Sequence, residues 1–242
     1  MEKSKSKIIK RRNADFGKPA THILYFENYN LVCFSIPKAA NSSIKHYLLP
    51  LTGHEKKIYN NIHKDVSWNI ISKKRFKEIK ANIFSFAVTR NPYERLISAY
   101  KDKVRDEIHI PLKKQGFIKG MPFLEFLKTL EKQKPIERDI HLKTQYELLT
   151  SGNQLLPHLI LDVTEIKKLE GILRKIVSME GGKMPGIIPR LNKTKKENDI
   201  YKIIAPNAKL QIDKIRCKKT FIDLTEKIYE KDLKIFGYEY PY

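Results

Sequence analysis

Cysteine is nearly absent from these 242 residues. The two present, Cys33 and Cys217, cannot build a disulfide framework, and Cys33 lies in an apolar run where a thiol packs as a small hydrophobe. No apolar run is long enough to cross a membrane. The basic first residues lack the apolar core of a secretory signal, so the expected location is the cytoplasm. No His/Cys grouping has metal-ligand spacing, so no metal is expected. Acidic residues are also short: 27 Asp and Glu face 48 Lys and Arg, a net charge of +21. The excess is mostly lysine and is spread along the chain. Such a surface attracts polyanions, whether nucleic acid, anionic lipid, or an acidic polysaccharide or nucleotide, although the same excess also serves plain solubility. Residues 1–18 read as a flexible basic arm, solvated or in peripheral contact with a membrane surface. Residues 19–242 are long enough for a single domain.

Glycine is missing where an ATP-hydrolysing loop would need it. The stretch LVCFSIPKAANSSIKHYL, Leu31 to Leu48, contains none, which argues against a Walker-type loop. What it does contain is informative. Leu31–Ile36 has the composition of a buried strand, and Pro37 ends it by offering no N–H to a neighbour. Asn41, Ser42 and Ser43 are good N-cap residues, and Ile44 to Leu48 can continue as a helix. A strand therefore runs into a tight turn that opens a helix. Unpaired N–H groups and the positive end of the peptide dipoles make such a turn an anion site, with Lys38 as a point charge and two hydroxyls beside it. The competing reading is an ordinary turn whose lysine is merely solvated.

The pattern repeats downstream. Ile83–Thr89 reads as a second buried strand ending at Arg90, and Asn91–Pro92 opens a helix from Tyr93 to about Val104. Leu96, Ile97 and Tyr100 form its apolar stripe, with Arg95 and Lys101 off it. Leu159–Val163 is a third strand, and Thr164 is read as the cap of a helix over Glu165–Val177. His22–Phe26 reads as an edge strand, and Ser72–Lys80, Phe123–Leu130, Ile140–Leu149 and Lys219–Phe236 as helices. The Ile140–Leu149 helix would carry His141 and Gln145 one turn apart. His109–Gly120 reads as a basic loop. Strands separated by helices imply a central parallel sheet flanked by helices on both faces. Ligands of such sheets bind beyond the carboxyl ends of the strands, so Lys38 and Arg90 would face one crevice. Two cationic turns suit a ligand with two separate anionic groups. Taken alone, Arg90 would as readily form an ion pair with Glu94.

At this point a resemblance becomes specific. IPKAANSS resembles the phosphosulfate-binding loop of the sulfotransferases, and TRNPYERLISAYKDK resembles their second nucleotide signature. FLEFLKTL, DIHLKTQYELL, LILDVTEIKKLEGIL and IYEKDLKIFGYEYP are similar, in order, to later segments of the chondroitin/dermatan and uronyl 2-O-sulfotransferase type. The resemblance implies a P-loop nucleoside-kinase-like three-layer sandwich and a 3′-phosphoadenosine 5′-phosphosulfate co-substrate, released as 3′-phosphoadenosine 5′-phosphate. It implies that Pro37, Lys38, Ala39, Ala40, Asn41, Ser42 and Ser43 hold the 5′-phosphosulfate. Arg90 and Ser98 would hold the 3′-phosphate, and Arg190 to Thr194, with Asn192 and Thr194, would close over the nucleotide. Ala40 departs from the glycine common in the family and fits only if positive φ is not needed there. Lys38 would stabilise charge on the leaving oxygen. A base must take the acceptor's proton; His63 and His141 stand level for that role, with a carboxylate as a third choice. The acceptor implied is an anionic carbohydrate. The alternatives are a magnesium-dependent nucleotide kinase on the same fold, or a basic protein that binds nucleic acid without catalysis, which would leave both strand-end signatures unexplained.

Overall fold

The apolar runs fold as the inner strands of one five-stranded sheet. A computed structural model describes residues 22–54, 59, 61–184, 186–191 and 200–242. The basic arm read over residues 1–18 lies outside the described residues, as do Asn192 and Thr194. In chain order the strands are β1 (His22–Phe26), β2 (Leu31–Ser35), β3 (Ile70–Ile71), β4 (Phe84–Thr89), β5 (Thr150–Ser151), β6 (Gln154–Leu155) and β7 (Leu159–Asp162). The helices are α1 (Asn41–Leu48), α2 (Lys73–Ile79), α3 (Pro92–Tyr100), α4 (Ile110–Lys114), α5 (Phe123–Lys132), α6 (Gln145–Leu149), α7 (Ile166–Met179), α8 (Tyr201–Ile204) and α9 (Gln211–Phe236).

The sheet order is β3-β1-β2-β4-β7. β2, β4 and β7 are parallel, as the sequence implies. β1 runs antiparallel to both β2 and β3, so the sheet is mixed, and β1 is not an edge strand. The edge is the two-residue β3, too short to carry a period-2 signal. β2 is apolar throughout because both faces are covered. Leu31 and Cys33 pack with Ile44 and Leu48 of α1 and Leu169 and Leu173 of α7. Val32 and Phe34 face the other way, toward Phe76 of α2 and Leu148 and Leu149 of α6. Helices thus flank the sheet on both sides. A third cluster joins α3, α5, α8 and α9 through Tyr93, Phe123, Phe126, Ile203 and Phe221.

Several sequence expectations change in the fold. Helix α6 covers only Gln145–Leu149, so His141 and Gln145 do not share a helix. Thr144 starts that helix through a reciprocal bond with Glu147, and the Asp139 side chain holds the turn before it by accepting from His141 N at 2.9 Å. Thr164 does not cap the helix: it lies in a single 3-10 turn, Val163–Glu165, that Asp162 caps by accepting from Thr164 N while Glu165 reaches back to Asp162 N, and α7 begins after it with no side-chain cap. The expected His109–Gly120 loop contains α4. Helix α9 starts eight residues before Lys219 and bends at Tyr229. Arg95 is not on a solvent face: it is only 1% exposed, because α3 is buried nearly all round. Among the described residues no helix is long and apolar enough to cross a membrane.

Candidate active site

The turn after β2 has an unusual backbone. Lys38 and Ala40 both have positive φ, 68° and 55°. Ala40, not Asn41 or the serines, occupies the N-cap of α1, and its carbonyl accepts the first helical bond from Ile44 N at 3.0 Å. The N–H groups of Asn41, Ser42 and Ser43 precede that bond and point out of the helix start. The expectation that Ala40 avoids positive φ is therefore overturned. A left-handed Ala costs roughly 1 kcal/mol, and strain of this kind persists where the surroundings impose it. Ala40→Gly is expected to raise stability by up to about 1 kcal/mol, or about 2–4 °C in melting temperature; a fall in melting temperature would contradict the strain.

The side chains freed from capping find other partners. Ser35 Oγ donates to Asn41 Oδ1. Ser43 Oγ accepts from Leu191 N at 3.1 Å, and Ser42 Oγ lies 3.0 Å from His63 Nε2. Arg95 braces the turn from below. Its guanidinium donates to Pro37 O at 3.0 Å, Lys143 O at 2.7 Å and Ile140 O at 3.4 Å. One buried cation therefore ties the Lys38 turn to the segment that carries His141.

Arg90 sits at the tip of β4 and reaches both neighbours suggested by its sequence context. Its Nε is 3.1 Å from Glu94 Oε2, and its Nη1 donates to Lys38 O at 3.4 Å. Its backbone is clamped by Gln145, which accepts from Arg90 N at 2.9 Å and donates to Arg90 O at 2.8 Å. Gln145 is held in turn by buried Asp232, which accepts from Gln145 N and Tyr146 N. Helix α3 continues into a widened turn, Lys101–Arg105, closed by Asp106 N to Lys101 O at 3.1 Å. Asp102 in that turn meets Lys38 Nζ at 3.0 Å. Burial lowers the pKa of Lys38, Asp102 works against that shift, and the neighbouring Lys103 and Arg90 add to it.

These groups open into one cavity of about 1690 Å³, lined among others by Lys38, Ser42, His63, Arg90, Ser98 and His141. Lys38 and Arg90 thus share a pocket, as two turns at neighbouring strand tips should. Apart from Glu94 and Asp102, the charged lining described is lysine and arginine. Lys45, 1% exposed, also borders the cavity, with its ammonium 5.3 Å from the Trp68 ring centre. Cys33 behind it is buried, and its thiol is pushed up to about 12, as expected of an inert core residue.

A sequence model described as "Sulfotransferase family" matches residues 21–239, nearly the whole chain. This chain belongs to the sulfotransferase family. No curated protein and no solved structure gives a significant match. In this sulfotransferase the two candidate bases stand in different surroundings. His63 is exposed and touches the Lys38 turn through Ser42. His141 follows Ile140, whose carbonyl Arg95 holds, and its Nδ1 lies 2.7 Å from Asp139 Oδ1. Asp102, Asp139 and His109 have no site role legible in the sequence, and Arg95 and Gln145 have only expected helix positions there, not the bracing contacts they make. Only the Asp-x-His spacing of Asp139 and His141 gave a local signal, since a residue two positions away can orient an imidazole. The others reach the site across long chain separations.

Proposed function

We propose that this protein moves a sulfuryl group from 3′-phosphoadenosine 5′-phosphosulfate to a hydroxyl of an anionic carbohydrate. The observation that carries the reading is the single cavity into which both strand-tip cations, Lys38 and Arg90, open beside Ser98. The strand–turn–helix of β2 and α1, with helices on both faces of the sheet, supports a P-loop-like nucleotide site. In this reading the N–H groups of Asn41 to Ser43 and the hydroxyls of Ser42 and Ser43 take the 5′-phosphosulfate. Arg90 and Ser98 take the 3′-phosphate. The cavity exceeds the roughly 300–1,000 Å³ of ordinary small-molecule pockets, which leaves room for an acceptor beside the nucleotide. Its cationic lining favours an acidic acceptor.

The step is an in-line transfer. The acceptor oxygen attacks sulfur, the bond from sulfur to the phosphate oxygen breaks, and 3′-phosphoadenosine 5′-phosphate leaves. Lys38 stabilises charge growing on the leaving oxygen. His141 accepts the acceptor's proton, because Asp139 holds its Nδ1 and leaves the other nitrogen for the substrate. His63 assists the phosphosulfate loop through Ser42.

The test compares 3′-phosphoadenosine 5′-phosphate with adenosine 5′-phosphate by calorimetry. Wild type should prefer the former, and Arg90→Ala should lose about 10–100-fold of that preference, the worth of charge-assisted bonds to one phosphate. Equal affinity of wild type for both nucleotides would remove Arg90 from its role. Transfer of labelled sulfate to acidic but not neutral glycans would identify the acceptor class.

A further inference from the structure

We infer that His109, Asp139 and His141 form a binding site for a divalent transition metal of the zinc class, and that the bound ion switches the enzyme off. The three residues each offer one ligating atom, and these atoms lie within 4.8 Å of one another. The geometry is that of a carboxylate between two imidazoles. Asp139 Oδ1 is 2.7 Å from His141 Nδ1, and Asp139 Oδ2 is 3.9 Å from His109 Nδ1. The two rings are 5.4 Å apart and nearly perpendicular.

A second observation points to a missing partner. His109 Nδ1 is buried and makes no hydrogen bond among the described residues. Leaving a buried ring nitrogen without a partner is costly, and the 3.9 Å gap to the carboxylate is too long for a hydrogen bond. A metal ion fills such a gap. Zinc bonds of about 2.0–2.2 Å place tetrahedral ligand atoms about 3.3 Å from one another. The three ligand atoms, now within 4.8 Å of one another, would draw in toward that separation by side-chain rotation.

Donor chemistry sets the class of ion. Two imidazoles and one carboxylate favour zinc, cobalt, nickel or copper over magnesium and calcium, which prefer all-oxygen sets. His109 and His141 border the cavity, so water can take a fourth position, the pattern of an open rather than a closed site. The segments are fixed before any ion arrives. His109 O accepts from Lys113 N at the start of α4, and Asp139 O accepts from Leu142 N and Lys143 N. The metal takes the place of the proton between Asp139 and His141 Nδ1, and the imidazole, still neutral, carries its proton on Nε2 instead. His141 can then no longer accept a proton from an acceptor hydroxyl. Inhibition therefore depends on His141 being the base proposed above; binding of the metal does not.

The experiment uses chelator-stripped full-length protein. Calorimetric titration with zinc should show one saturable site at micromolar concentration, and cobalt should give the visible absorption of a low-coordinate ion. Magnesium should not compete. His109→Ala and, separately, Asp139→Asn should each weaken zinc binding by about tenfold or more, while His54→Ala and His158→Ala leave it unchanged. The use of two site variants guards against one failing to fold. Zinc should inhibit sulfate transfer over the same concentration range, and chelator should restore it. Unchanged zinc affinity in both site variants, or no saturable binding to wild type, overturns the site. Zinc binding that depends on His109 but leaves turnover untouched keeps the site and overturns both the inhibition and the assignment of His141 as base.

Discussion

His141→Ala is expected to lower sulfate-transfer turnover by about 10²–10⁴-fold, the usual contribution of a positioned general base. In the proposed roles His141 serves the acceptor hydroxyl and not the nucleotide, so the affinity for 3′-phosphoadenosine 5′-phosphate should change little. His63→Ala should do the reverse. It removes a contact to Ser42 on the phosphate turn, so donor binding should weaken more than turnover does. The physical basis is the orienting bond: Asp139 accepts at 2.7 Å from His141 Nδ1 and fixes which nitrogen faces the cavity. Steady-state kinetics with both variants, read beside nucleotide titration, separate the roles. A collapse of turnover in His63→Ala with His141→Ala nearly active would exchange them.

Lys38→Ala is expected to cost about 10²–10³-fold in turnover, the scale of removing one donor to a developing negative charge. Lys38 is poised for that task by its surroundings. It is partly buried, and Asp102 holds its ammonium at 3.0 Å. Burial moves its pKa below the ordinary lysine value; Asp102 opposes the shift, while Lys103 and Arg90 increase it. In the proposed role the cation is the working form. Turnover should therefore fall as pH rises, and it should fall at a lower pH than free lysine would predict. Lys38→Arg keeps its charge across that range, so its remaining activity should lose the alkaline fall. The same alkaline fall in Lys38→Arg and in wild type would assign the titration to another group.

The amino-acid order alone determined the parts of this site that are local. β2 and β4 are marked by runs of apolar residues, and Pro37 and the Asn91–Pro92 pair mark where those runs end. Lys38 and Arg90 follow directly at the strand tips, so the sheet's parallel core and its two cationic turns were legible. The order of the later motifs carried the family. What lay beyond a short window was decided by the fold. Lys38 meets Asp102 across 64 residues, and Gln145 reaches Asp232 across 87. Nothing in a helical period tells that Arg95 points inward, because its three carbonyl partners come from other segments. The left-handed Ala40 was hidden for a related reason: alanine gives no local sign of positive φ, and packing around the turn imposes it. His109 joins Asp139 and His141 only because α4 and the turn before α6 come together in space. Backbone patterns are written in neighbouring residues, whereas a charge's partner is set by distances that only tertiary contact fixes.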